Sequence, residues 1–152
     1  MEGLNTSMSI KGEKGREILE KIHLQMKEWK LTLPDIDPLI LDFGLGDFAD
    51  IGETEFWIAN EVQGGYCSKF MFLFEGQTCP NHYHTQKLET FYIQKGCVKM
   101  EYEKEELVMK QGDVLLINLE KYHKFTALET ALILEVSSPC IGDDNFFENK
   151  MI

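Results

Sequence analysis

The sequence predicts an all-β fold, an antiparallel barrel or small jelly roll preceded by one amphipathic helix. Three observations carry this expectation. Beyond Pro38 the chain breaks into short segments rich in aromatic and β-branched residues, separated by Gly, Asp and Asn. No helical apolar stripe falls between those segments, which argues against a parallel sheet with crossover helices. Ahead of them lies one stretch with helical spacing. At 152 residues, 43% of them hydrophobic, the chain can bury a core without disulfide or metal staples, so stability alone would not explain a metal site.

Residues 1–15 are polar and glycine-containing and read as a loose, flexible N-terminus ahead of a single domain over 16–152. From Arg16 to about Lys30, the residues Ile18, Ile22, Met26 and Trp29 recur at four, four and three, one stripe of a helix that closes at Pro34. His23 within it reads as a surface residue. Strands are expected at Glu55 to Val62, Tyr66 to Phe74, Leu88 to Gln94, Val98 to Glu103, Glu105 to Lys110, Asp113 to Asn118, His123 to Thr126 and Ala131 to Val136. Gly64-Gly65, Glu75-Gly76, Lys95-Gly96 and Gln111-Gly112 supply turns in which positive φ costs little.

Charge narrows the function. With 26 acidic against 15 basic side chains, the net charge of -11 repels phosphate backbones and anionic headgroups, so neither nucleic acid nor a membrane surface is an expected partner. No apolar run approaches membrane-spanning length, and the first residues lack the apolar core of a signal peptide. A soluble cytoplasmic protein is the expectation. Cys67, Cys79, Cys97 and Cys140 form no CxxC pair and read as free thiols in a reducing compartment.

Three of the four histidines fall in two places, His82 with His84, and His123 further on. In an extended segment residues two apart project to the same face, so His82 and His84 can aim both imidazoles at one point. By the same alternation Lys87, Glu89, Phe91 and Ile93 share a face, and a carboxylate on an otherwise apolar inward face needs a partner. Each residue alone suits a solvated surface. Three imidazoles and one carboxylate together suit a first-row divalent metal better than calcium or magnesium, which prefer oxygen.

The spacing is itself recognisable. Gly76, His82, His84, Glu89 and Gly96, separated by five, one, four and six residues, reproduce the first motif of the cupin superfamily. The second motif is altered: Gly112 and His123 stand at the right separation, but Asn118 and Glu120 replace its proline and second glycine. The fifteen intervening residues allow a hairpin near Lys104, as in a small cupin barrel.

The stretch from Tyr66 to Gly96, with its pieces YCSK, LFEGQTCPNHYH and Lys87-Leu-Glu89-Thr, is similar to the bacterial D-lyxose isomerase family of sugar-isomerase cupins, and the DFGLG of Asp42 to Gly46 resembles that family's pre-barrel segment. The likeness spans roughly residues 30–137. It implies that His82, His84, Glu89 and His123 are metal ligands, usually for manganese, with iron, zinc, cobalt or nickel as other candidates. It implies that Lys87 reaches the sugar and that Glu135 moves protons, although alternation alone would equally allow Leu132, Leu134 and Val136 to face inward instead. The implied activity is aldose–ketose isomerisation of the D-lyxose/D-xylulose and D-mannose/D-fructose type, through an enediolate.

Several positions stay open at this level. Lys69 either reaches a sugar inside the barrel or lies in solvent. Trp57, Tyr66 and Asn60 could line a sugar pocket, with Trp57 favoured as core. The acidic tail reads as solvated, unless Phe146 and Phe147 dock to close the barrel mouth or meet a second subunit; a homodimer is expected. Arg16 is the sole arginine and no phosphate-cradling loop is visible, which favours unphosphorylated sugars. Two rival functions remain, a non-catalytic carbohydrate- or small-acid-binding cupin and a non-heme iron dioxygenase cupin.

Overall fold

The computed structural model describes residues 8–152. One helix, α1 (Gly12–Trp29), precedes nine strands: β1 (Leu39–Leu41), β2 (Glu53–Glu61), β3 (Tyr66–Leu73), β4 (Thr78–Tyr83), β5 (Glu89–Tyr102), β6 (Glu105–Lys110), β7 (Val114–Ile117), β8 (His123–Ser137) and β9 (Phe146–Phe147). All named pairings are antiparallel.

Helix α1 buries Ile18, Ile22 and Met26 of the stripe read from the sequence, with Gly15 beside them, against Ile40, Phe56, Phe72 and Leu132 on the outside of the sheet, and Trp29, the last of the stripe, is half-buried on the same cluster. It starts at Gly12, earlier than expected, so residues 12–15 of the supposed loose segment are helical; residues 1–7 of that segment lie outside the described residues. Gly15 is required there, because a Cβ would sit 2.8 Å from the Ile10 carbonyl oxygen. The helix ends on Lys30, whose left-handed φ of 56° turns the chain while its N–H bonds the Lys27 carbonyl.

The sheet curls around β5 and β8. The second half of β8 lies between β3 and β5, with Glu135 opposite both Lys69 and Phe91. Its first half crosses to the other wall and pairs β4, with His123 opposite His82. The expected strands Leu88 to Gln94 and Val98 to Glu103 are thus one continuous β5, and His123 to Thr126 and Ala131 to Val136 one continuous β8. The turn expected at Lys95-Gly96 is instead an irregularity in the β5–β8 register that bends both strands around the core. Gly96 permits the close approach: its φ is +81°, and a Cβ would lie 2.2 Å from the Thr130 carbonyl oxygen. β1, β4 and β9 were not anticipated as strands, β1 and β9 being only three and two residues long.

Inside the curl, Met71, Leu73, Phe91, Ile93, Val98, Met100, Phe125 and Ile133 pack as the main core. In β8 the residues Ala131, Ile133, Glu135 and Ser137 face this interior, Leu132 meets α1, and Val136 is exposed. That parity rejects the inward set Leu132, Leu134 and Val136. Among the described residues, no helix is long and apolar enough to cross a membrane.

Candidate active site

The interior holds a cavity of about 480 Å³ lined by both apolar and charged groups. At one side stand the histidines. His82 and His84 come from the end of β4 and the residue after it, and His123 opens β8. Alternation points the first two inward, and the β4–β8 register sets His123 beside them; one ligand atom from each ring lies within 4.8 Å of the others. All three residues are buried.

Their tautomers follow from their outer nitrogens. Nδ1 of His82 contacts the Pro80 carbonyl at 2.7 Å, that of His84 the Asp144 carbonyl at 2.7 Å and that of His123 the Lys121 carbonyl at 3.0 Å. A carbonyl oxygen only accepts, so each Nδ1–H donates, and in the neutral ring each Nε2 then presents a lone pair. Burial, then the charges of His123 and His84, push the His82 pKa well below its ordinary value, which favours the neutral ring.

Glu89 faces these rings. Its Oε1 lies 3.4 Å from His84 Nε2 and its Oε2 lies 3.2 Å from His123 Nε2. His84 Nε2, His123 Nε2 and Glu89 Oε2 are all buried without a hydrogen-bond partner. Lone pairs on two nitrogens and an anionic oxygen at these separations repel unless a cation stands among them. The donor set, three imidazoles and one carboxylate, suits a first-row divalent ion. The residues therefore fit a metal.

A row of buried charges continues from Glu89. Lys87 Nζ lies 2.6 Å from Glu89 Oε1 and 3.1 Å from Glu135 Oε1; Lys69 Nζ lies 3.4 Å from Glu135 Oε2 and also pairs Glu55. Burial by itself would lower the Lys87 pKa, but Glu135 and Glu89 outweigh it and raise it, keeping the ammonium charged. Lys69 behaves alike: burial is overcome by Glu135, Glu55 and Glu53, and its pKa rises well above the usual value. The Ser137 hydroxyl donates to Glu135 Oε1 at 2.9 Å, fixing the carboxylate further.

Lys69 is thus an interior residue, and Glu135 faces the cavity. Trp57 is buried, as a core residue should be, but it also lines the cavity: its Nε1–H donates to Glu55 Oε2, and Lys69 Nζ sits 4.9 Å from its ring centroid. Tyr66 is exposed, and Asn60 ties the tail through the Cys140 backbone. His23 lies on the surface as expected. All four cysteines are free, Cys67 and Cys79 buried, Cys97 and Cys140 half-buried.

Three polar residues escaped the sequence reading. Glu53 and Glu55 alternate inward on β2, hidden because Thr54 between them and Phe56 after them are buried too, so the strand shows no polar–apolar rhythm. Asp144 lies in the tail read as solvated, yet it is buried. Its carboxylate accepts from the Thr85, Gln86 and Lys87 backbone N–H groups and from the Thr85 hydroxyl. Phe146 and Phe147 dock as β9 against β4, and Phe147 packs 5.3 Å from the His82 ring.

A curled antiparallel sheet with this inward ligand cluster is a cupin, and a cupin domain profile matches residues 70–137. A D-lyxose isomerase profile matches residues 20–103, more than half of the chain, and the chain belongs to that family. A D-lyxose/D-mannose isomerase of Thermosediminibacter oceani is 28% identical over 174 aligned positions, covering 94% of this chain and 95% of that protein. The L-ribose isomerase of Acinetobacter sp. DL28, solved with L-ribose, superposes with a TM-score of 0.76 at 14% identity, covering 94% of both chains. The Cellulomonas parahominis L-ribose isomerase, also solved with L-ribose, gives 0.72 at 15% identity and the same coverage. At these identities the structural likeness is one of fold.

Proposed function

We propose that the protein is a metal-dependent aldose–ketose isomerase for unphosphorylated sugars of the D-lyxose/D-xylulose and D-mannose/D-fructose type, working as a soluble cytoplasmic homodimer. The observation that carries the reading is the buried set of His84 Nε2, His123 Nε2 and Glu89 Oε2, mutually repelling without a cation. Family membership and the Thermosediminibacter relative point the same way.

In this reading His82, His84, Glu89 and His123 hold the ion, with manganese as the preferred occupant. When bound, it supplies Lewis acidity beside the sugar's carbonyl and neighbouring hydroxyl. Glu135 then takes the proton from C2 of the aldose and returns it at C1, while a hydroxyl proton passes from O2 to O1, so no atom is gained or lost. Lys87, held between Glu89 and Glu135, steadies the developing oxyanion with its charge. Lys69 positions Glu135 from the other side and meets the sugar beside Trp57.

The deciding experiment incubates manganese-loaded protein with D-lyxose or D-mannose in deuterated water. D-xylulose or D-fructose carrying deuterium beside the carbonyl supports the isomerase. Sugar binding without ketose favours the non-catalytic binder, and bound iron with oxygen uptake on an organic substrate favours the dioxygenase. Sedimentation of the same preparation tests the homodimer.

A further inference from the structure

Glu53 takes no part in the chemistry above, yet it lines the same cavity and is 3% exposed. It extends the polar row along β2, beyond Glu55, whose carboxylate is already engaged by Lys69 and by the Trp57 indole N–H. Its Oε2 is buried without a hydrogen-bond partner. The carboxyl already shares hydrogen bonds with the Glu55 carboxylate and the Cys79 thiol, and a polar group in the cavity would satisfy the oxygen that they leave over.

Resting on the isomerase reading, we infer that Glu53 touches the substrate, its carboxyl hydrogen-bonding a hydroxyl of the unphosphorylated sugar on the side of the cavity away from Glu135. The ionisable groups that interact with Glu53 are Glu55 from its own strand, Lys69 from β3 and Cys79 from β4. Burial, then the negative charge of Glu55, raise the Glu53 pKa to about 8, so near neutrality the group carries its proton. A protonated carboxyl both donates and accepts, which is the hydrogen-bonding character of a hydroxyl. A phosphate would meet the Glu55 charge, and a cationic ligand would meet Lys69. A hydroxyl meets neither conflict.

The test measures binding of D-arabinitol, the reduced and unreactive form of D-lyxose, to the metal-loaded protein by calorimetry at pH 7 and pH 9, with D-lyxose turnover recorded alongside. Glu53→Leu is expected to weaken D-arabinitol by about tenfold and to raise KM more than it lowers kcat, the size of one lost hydrogen bond with its partner left unpaired. The natural protein is expected to bind D-arabinitol more weakly at pH 9, where Glu53 has lost its donor proton; Glu53→Gln keeps a donor and an acceptor at both pH values, so it should recover part of the affinity at pH 7 and lack that alkaline weakening. Thermal melting confirms that each variant folds. Unchanged D-arabinitol affinity in a folded Glu53→Leu protein, or the same alkaline weakening in Glu53→Gln, overturns the assignment while leaving the isomerase intact. A natural protein that neither isomerises D-lyxose nor binds D-arabinitol overturns both.

Discussion

The backbone carbonyl of Asp144 accepts the Nδ1–H of His84 at 2.7 Å, so a residue near the end of the chain fixes a ring of the candidate metal centre. The same residue's carboxylate gathers the 85–87 backbone, which carries Lys87 toward Glu89 and Glu135. The tail is therefore part of the site's framework, and an imidazole so oriented is a better ligand than a free one.

Asp144→Ala should cost roughly 3 kcal/mol of stability, because several charge-assisted hydrogen bonds disappear and the N–H groups they satisfied are left behind. Burial would raise the Asp144 pKa, but the Thr85 hydroxyl and the 85–87 N–H groups outweigh it and lower the pKa below 3.8. With a depressed folded pKa, this stabilisation is complete above the unfolded value and fades as pH falls through the folded one. Acid melts of the natural protein and Asp144→Asn should converge at low pH; a constant gap between them refutes the assignment.

Glu135→Gln removes a proton acceptor while keeping side-chain volume and the Ser137 contact. Turnover should fall by about a hundredfold or more, the usual reach of a positioned general base. Metal content should be unchanged, because Glu135 is separated from the histidines by Lys87 and Glu89. Turnover close to natural would assign the base to another group.

Removing the metal should lower the melting temperature, since an ion that binds only the folded chain stabilises it by about 2.7 kcal/mol at a hundredfold excess over Kd. His123→Ala leaves Glu89 facing fewer ligands and should abolish the manganese-dependent shift. A chelator-treated natural protein that melts unchanged when manganese is restored would count against a metal at this site.

How much of this was legible beforehand depended on spacing. His82 and His84 are two apart, so alternation alone brings them to one face, whereas Glu89 opens a different strand and is tied to them in the sequence only by the motif spacing. The helix was legible because its stripe, from Ile18 to Trp29, repeats over about three turns. The merging of β5 and β8 was not, because Lys95-Gly96 has the composition of a turn, and only the approach of the Thr130 carbonyl turns it into a bend within paired strands. Glu135 was open to either parity until Ile133 and Ser137 were found inside with it. Asp144 depends on contacts about sixty residues away, which no local pattern encodes.

Glu53 gives the pH dependence of stability an unusual sign for a carboxyl. Its folded pKa of about 8 stands above the ordinary 4.5, so between those values the unfolded chain releases a proton that the folded chain retains. Its contribution is therefore fully present below about pH 4.5 and is lost as pH rises through about 8. The expected slope is on the order of 1 kcal/mol per pH unit in that window. Denaturant unfolding of metal-free protein at a series of pH values measures it, and Glu53→Gln, which cannot ionise, should flatten the slope. Parallel pH profiles for the two proteins would mean that Glu53 ionises normally in the folded state, and the charge of Glu55 beside it would then be balanced by Lys69 alone.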